Sequence, residues 1–544
     1  MSTSFGPLDE QGFNQPPLLG DIDLFALDQP LRDAVARAGA DSASLHRFGE
    51  TWGSAATLEL GRQANAHAPR LHTVDPMGRR IDRVEFHPAY HELMRMSMAD
   101  GLHGSVWDSA PEPAAVVARA ARIYMASGVE AGHVCPITMT NAAVASLAAA
   151  PDLLATLKPK LASRRYDPRP LPWWEKHAMT LGMGMTERQG GTDVRANTSR
   201  ATSAGDHVLI LGHKWFMSAP MCDAFLVLAQ ASGGLSCFLM PRFLPDGTVN
   251  ALRFQRLKDK LGNRSNASSE VEFHGAHAWL IGEEGRGVPS ILEMVTGTRL
   301  DCAVASAGLM RATLAIAIHH CRHRTVFTKP LADQPLMQMV LADLALDVEA
   351  ATALSFRLAR SFDRASDEHA AAWRRLMTPV TKYWVCKIGP ALAYEAMECL
   401  GGNGYVEDGL AARLYRELPL NAIWEGSGNV MALDLLRVLQ REPESVEIVM
   451  DDLAAAVGGD AHLKAHLARV QGLLHEPRLL DKRGRELAEA LAILAAGTIL
   501  RAHAPTAVAD AFIGTRLSGP GRQTYGQGLD WADTRAIVER AYPR

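Results

Sequence analysis

The sequence has no CxxC pair, no uncharged apolar run of eighteen residues and no strong excess of either charge. Its seven cysteines (Cys135, Cys222, Cys237, Cys302, Cys321, Cys386 and Cys399) are odd in number and scattered. That excludes a disulfide or zinc framework and reads as buried free thiols in a reducing compartment. Without a long apolar run, no transmembrane helix is expected. The opening stretch MSTSFGPLDEQGFNQPPLLGD lacks a basic start followed by an apolar segment, so it does not read as a secretory signal, and a cytoplasmic location is expected. A net charge of -4 over 544 residues gives no whole-chain pull toward nucleic acid or an anionic membrane. No G-x-G-x-x-G follows a strand, which argues against a Rossmann nucleotide site. No internal repeat is found.

Hydrophobic residues make up 47% and charged residues 21%, the proportions of a folded globular chain. The length suggests about three or four domains. Residues 1–180 read as mostly helical, with Ala-rich segments at 112–127 and 142–157 and a Pro-rich joint at 164–174. Across 181–285, short β-branched and aromatic runs alternate with turn residues, which predicts a small antiparallel β domain, a barrel or a sandwich. Residues 286–442 carry apolar residues at three and four spacing and predict helices at roughly 288–327, 335–364 and 369–400, the last stopped by Gly401-Gly402. A short helix follows the loop at 421–427. Residues 443–544 form an appended segment, helical over 463–474 and 483–500 and ending in the stretch SGPGRQTYGQG. The fold class is α+β.

Three segments combine residues suited to chemistry. Met185-Thr186-Glu187-Arg188-Gln189-Gly190-Gly191-Thr192 sets two hydroxyls around two glycines, so that backbone N–H groups and side-chain hydroxyls can face an acceptor-rich ring or a pyrophosphate. On composition alone an ordinary polar turn is the commoner outcome. Trp215-Phe216-Met217-Ser218 ends a strand, where an aromatic can cover a flat cofactor and a hydroxyl can bond its edge; a plain core Trp is the blander reading. Trp424-Glu425-Gly426-Ser427-Gly428-Asn429 places a carboxylate in a Gly-rich loop before a helix. In an apolar pocket its pKa rises toward neutrality, as a general base requires, whereas a Glu that only caps the helix does no chemistry.

Taken with Arg256-to-Ser265 (RLKDKLGNRS), GEEGRG at 282–287 and GGNGY at 401–405, these motifs lie in an order that resembles the acyl-CoA dehydrogenase family over roughly residues 70–440. The resemblance implies that family's layout: an N-terminal helical domain, a middle antiparallel β domain and a C-terminal helical bundle, here with a helical extension. It implies FAD as cofactor. Met185, Thr186, Gly191 and Thr192 would wrap the flavin ring and phosphates. Trp215, Phe216, Met217 and Ser218 would line the flavin, with Trp215 against the ring and Ser218 at N5. From a second subunit Arg324 and Phe327 would hold the adenine end together with Gly401 and Gly402, while Trp424, Ser427 and Asn429 would complete the site. Glu425 would be the catalytic base, since the family's alternative position, beside Arg299, is held by Thr298. Arg299 and Arg437 would lie by the substrate, with Arg437 either tuning the carboxylate or serving only as a surface cation. Acyl-CoA or a related small thioester, an electron acceptor and self-association as a dimer of dimers follow from the same resemblance. Thr296 stands where several relatives carry an acidic residue touching CoA, so acyl-CoA follows less directly than FAD.

Within the family the chain is most similar to the branch tied to the adaptive response to DNA alkylation, which implies duplex DNA as a partner of residues 443–544. Residues 445–544 hold twelve Lys or Arg and twelve Asp or Glu, no excess of positive charge for phosphate binding. A one-sided patch from Lys482, Arg483, Arg485, Arg516, Arg522, Arg535, Arg540 and Arg544 is the form such an interface would take. A protective DNA-binding flavoprotein with little turnover is therefore the alternative function. His319, His320, Cys321 and His323 lack partner carboxylates and sit beside Arg322 and Arg324, so no metal site is expected.

Overall fold

The computed structural model describes residues 14–108, 110–518 and 524–544. An N-terminal unit begins with α1 (Gln29–Ala38), α2 (Ser42–Trp52) and α3 (Ala55–Ala66). The carboxylates of Asp28 and Asp41 cap α1 and α2 by accepting from first-turn N–H groups, and the Ser54 hydroxyl does the same for α3. A hairpin, β1 (Arg70–Val74) and β2 (Arg80–Glu85), follows and departs from the helical expectation for this region. Its signal was the alternation in RLHTV and RIDRVE around a turn at Gly78. Then come α4 (Pro88–Ala99), α5 (Ala115–Val129), α6 (Val134–Leu147) and α7 (Pro151–Leu161). The helix expected over 142–157 is two helices, because Pro151 has no N–H to donate and starts α7 instead of continuing α6.

The middle domain is a seven-stranded sheet of β3 (Leu181–Gly184), β4 (Arg200–Ser203), β5 (Val208–Ser218), β6 (Ala224–Ala231), β7 (Gly234–Pro241), β8 (Leu252–Leu257) and β9 (Ser268–Ile281). The order is β3-β5-β4-β6-β7-β9-β8, and the added pairings β3–β6 and β5–β9 curl it into a barrel-like form. All the pairs are antiparallel except β3–β6 and β4–β6. Leu226, Val227, Phe238 and Met240 fill its core.

The helical bundle is built on α8 (Gly287–His323), followed by a two-residue hairpin, β10 (Thr325–Val326) and β11 (Lys329–Pro330), then α9 (Pro335–Asp363), α10 (Glu368–Glu398), α11 (Gly402–Tyr405), α12 (Leu410–Asn421) and α13 (Gly428–Arg441). α8 is long and apolar enough to cross a membrane by length and composition, but 78% of its most apolar window is buried against its neighbours. Gly308 lets α5 approach: a Cβ there would lie 2.1 Å from the Tyr124 carbonyl oxygen. The extension comprises α14 (Pro443–Val457), α15 (Ala461–Leu474), α16 (Pro477–His503), α17 (Thr506–Arg516) and α18 (Thr534–Ala541), and its apolar residues Leu487, Leu491 and Phe512 join the core of the bundle. All seven cysteines are buried and free.

Candidate active site

Glu425 sits in the turn between α12 and α13 with φ +58°, the left-handed region that a side chain other than glycine rarely takes. Such a backbone costs about 1–2 kcal/mol and persists only where neighbours over-determine it. Here they do. The Lys382 ammonium on α10, almost fully buried, donates to the carbonyl oxygens of Trp424 and Gly426 at 2.7 and 2.6 Å. Arg299 on α8 donates from Nε to the Glu425 carbonyl at 3.0 Å and from Nη1 to Asp434 on α13 at 2.6 Å. Three consecutive carbonyls are thus held by two buried cations from two helices.

The carboxylate itself is tied by one side chain: the Thr298 hydroxyl donates to Glu425 Oε2 at 2.8 Å. Burial raises the Glu425 pKa above its ordinary value, opposed by the Thr298 hydrogen bond and by the charges of Lys382 and Arg299. Trp424 packs against the apolar core that the β domain shares with α6, α7 and the start of α8, with its indole N–H on Asn421 Oδ1 at 2.9 Å.

The Thr186-to-Thr192 loop and the Trp215 strand form one unit. Glu187, fully buried, accepts from Lys214 Nζ at 2.8 Å, from the N–H groups of Thr198 and Ser199, and from Gln189 Nε2. Burial alone would push its pKa up, but the Lys214 ammonium outweighs that and holds the carboxyl well below its usual range. The Trp215 N–H donates to the Thr186 carbonyl at 2.8 Å, joining the two segments directly. At Gly191 a Cβ would come within 2.4 Å of the Thr186 hydroxyl oxygen, so a side chain there would displace that hydroxyl.

Lys214 and Met217 are both buried although three residues apart, which strict alternation forbids. A β-bulge between them, seen as a register shift against β9, resolves this and leaves Trp215, Phe216 and Ser218 on the outer face. The Met217 side chain therefore lies in the core of the β domain, which leaves its main chain as the part that can line a cofactor. Lys258 Nζ lies 3.5 Å from the Trp215 ring centre, with Arg188 and Arg256 also beside it, while Phe216 is 48% exposed.

Cys135 on α6 is buried, and burial pushes its thiol up to about 12, with the Glu425 charge adding to the rise and the Ser218 hydroxyl opposing it.

Other expected residues divide. Ser427 is the N-cap of α13, yet its hydroxyl makes no capping bond and is exposed, as is Asn429. Gly401, Gly402 and Thr192 are also exposed. Arg324 and Phe327 lie far along α8 and its hairpin, and Phe327 is 89% exposed. Arg437 is 52% exposed and lies 3.6 Å from Asp434, with no hydrogen bond to Glu425; it is the surface cation of the two alternatives. Sequence reading missed Lys382 and Asp434, and took Thr298 only as a substitution. A lysine inside the apolar helix register TPVTKYWVC was the available signal for Lys382.

These groups fit FAD: a glycine cradle with flanking hydroxyls, an exposed aromatic, an unspent helix-cap hydroxyl and a cluster of cations suit a flat ring joined to a pyrophosphate.

Two basic residues of the extension face inward. Arg516 pairs with Asp343 and Asp347 at 2.7 and 2.9 Å, and Arg540 with Asp33 and Glu349 at 2.7 and 2.9 Å. Arg483 pairs with Glu476 and Glu486, Arg544 with Glu539, and Arg485 bonds the Tyr383 hydroxyl. Arg522 lies outside the described residues. Arg516 and Arg540 of the expected patch are thus internal clasps, whereas Lys482, Arg485, Arg535 and Arg544 are exposed.

Comparison with known proteins matches residues 14–168 to the adaptive response protein AidB N-terminal domain, residues 182–276 to the acyl-CoA dehydrogenase middle domain and residues 285–440 to the acyl-CoA dehydrogenase C-terminal domain. The chain is 47% identical over 513 residues to AidB of Escherichia coli (strain K12), covering 94% of each. It is 33% identical over 414 residues to acyl-CoA dehydrogenase family member 11 of Caenorhabditis elegans, 73% of this chain and 66% of that one. The crystal structure of Caenorhabditis elegans ACDH-11 in complex with C11-CoA superposes with a TM-score of 0.85 at 27% identity, covering 100% of both chains.

Proposed function

The chain belongs to the acyl-CoA dehydrogenase family, and from that premise we propose that it dehydrogenates the Cα–Cβ bond of a thioester, with Glu425 as the base. The family is FAD-dependent, and FAD is the cofactor. When bound, FAD supplies the ring that accepts the hydride leaving Cβ.

The reading rests on one observation: a half-buried carboxylate whose backbone is fixed in a left-handed turn by Lys382 and Arg299 and whose Oε2 is bonded by Thr298. Fixing three carbonyls leaves the side chain few ways to retreat from a substrate, and such orientation is a major part of catalytic rate. Glu425 takes the proton from Cα. Because burial raises its pKa, the carboxylate is a stronger base than an exposed one and accepts that proton with less penalty. The Trp424 ring packs against the apolar core shared by the β domain, α6 and the start of α8, which anchors this side of the loop.

A thioester substrate is supported by the Caenorhabditis elegans relative, whose crystal structure is a complex with C11-CoA. We read the exposed Phe327 hairpin as reaching the cofactor of a second copy of the chain, which makes the dimer the working unit. A DNA-protective role has less support, since Arg516 and Arg540 are spent on carboxylates within the chain and residues 445–544 carry no excess of positive charge.

Titration of the purified protein with acyl-CoAs of graded chain length tests this reading. Bleaching of the flavin absorbance by at least one chain class is the expected result. A flavin-loaded protein that no thioester bleaches refutes it.

A further inference from the structure

The segment Asn14-Gln15-Pro16-Pro17 crosses three elements that no local sequence rule connects. The Asn14 side chain pairs with Thr325 as a strand residue would: Nδ2 donates to the Thr325 carbonyl at 2.7 Å, and the Thr325 N–H donates to Oδ1 at 2.9 Å. The Arg324 guanidinium donates to the Asn14 carbonyl. Asn403, within the GGNG loop, donates to Gln15 Oε1 at 2.8 Å. His319, near the end of α8, bonds the Pro17 carbonyl at 2.8 Å.

The hairpin that receives most of these bonds does not favour its own shape. Its turn residues, Phe327 and Thr328, have φ of +48° and +68°. A two-residue turn with both residues left-handed is normally built from Asn and Gly, and an aromatic with a β-branched residue there is strained. The tip is nonetheless presented to solvent, with Phe327 89% exposed. A strained turn that carries an exposed aromatic, with a guanidinium at its base, needs an outside anchor, and the Asn14 segment provides one.

We propose that residues 14–17 are a strap that positions the Arg324–Phe327 hairpin and the GGNG loop for the adenylate half of FAD. The inference rests on the reading above, in which those two elements serve the cofactor. Asn14 and Gln15 act through the groups they hold, so they are positioning residues. The Arg324 donors not spent on Asn14 remain for an anionic group, and stiff Pro16-Pro17 keeps the strap extended between its anchors.

The test uses full-length apoprotein titrated separately with FAD and with FMN, which lacks the adenylate half, for wild type, Asn14→Ala, Asn14→Asp and Gln15→Ala. Loss of both Asn14 bonds weakens FAD about tenfold while FMN affinity stays unchanged. Asn14→Asp keeps the acceptor for the Thr325 N–H and falls between wild type and Asn14→Ala. FAD affinity unchanged in Asn14→Ala overturns the proposal. So does an equal fall for FAD and FMN, the mark of general loosening. A wild-type protein that takes up neither flavin refutes instead the cofactor reading beneath it.

Discussion

Thr298→Val removes the one hydrogen bond to the Glu425 carboxylate and leaves shape and volume almost unchanged. The Thr298 oxygen lies 2.8 Å from Glu425 Oε2 and 3.0 Å from the Val295 carbonyl. One hydroxyl proton serves one acceptor at a time. With Glu425 ionised, it points to the carboxylate in a charge-assisted bond. With Glu425 protonated, the carboxyl donates to Thr298 and the threonine proton turns to Val295. Valine therefore forfeits only the difference between a charge-assisted and a neutral bond, roughly 1 kcal/mol. That raises the Glu425 pKa by about 0.7 further above its already raised value, at ~1.36 kcal/mol for a tenfold change. Infrared titration of the protonated carboxyl band, with Glu425→Gln as blank, reads this directly and needs no substrate. The base is active only when ionised, so the acid limb of turnover moves to higher pH by the same amount. A midpoint that stays put or falls refutes the assigned role of Thr298.

Glu417 on α12 is fully buried, and burial with the Glu130 carboxylate raises its pKa to about 7 from an ordinary 4.5. Its folded value exceeds its unfolded one, so the stability it contributes is complete below 4.5 and lost as pH climbs to 7. Glu417→Gln, which keeps an acceptor for the Asn263 N–H, stabilises the protein at pH 8 by at most about 3 kcal/mol and is near neutral at pH 4, read from denaturant midpoints at the two pH values. Arg516→Ala withdraws the guanidinium from two buried carboxylates on α9 and costs about 3–5 kcal/mol, loosening the extension. Limited proteolysis then releases fragments from 443–544 before the bundle is cut; equal protection in mutant and wild type contradicts the clasp.

The layers were legible because periodicity changes at real boundaries: the β domain begins at Leu181, and the three long helices end within a few residues of their expected limits. Positions governed by local exceptions were not. Pro151 divides an Ala-rich run that propensity alone reads as one helix, and a bulge at Trp215 inverts the face of Met217. Glu425 was legible as a carboxylate in a Gly-rich loop. The clamp that gives it meaning was not, because Lys382 and Arg299 reach it from helices 43 and 126 residues away in sequence. The sequence left open whether the arginines of the extension form a phosphate patch, and the carboxylate partners of Arg516 and Arg540 on α1 and α9 became visible only in three dimensions.

The central claim is that Glu425 removes the proton at Cα. Flavin-loaded wild type and Glu425→Gln, incubated with a thioester that bleaches the wild-type flavin, allow α-hydrogen exchange with deuterated water to be followed by mass spectrometry. Wild type exchanges the α position, and Glu425→Gln keeps FAD and binds the thioester but slows exchange at least ~10³-fold, on the scale of losing a general base with its positioning. Exchange at the wild-type rate in Glu425→Gln contradicts the account.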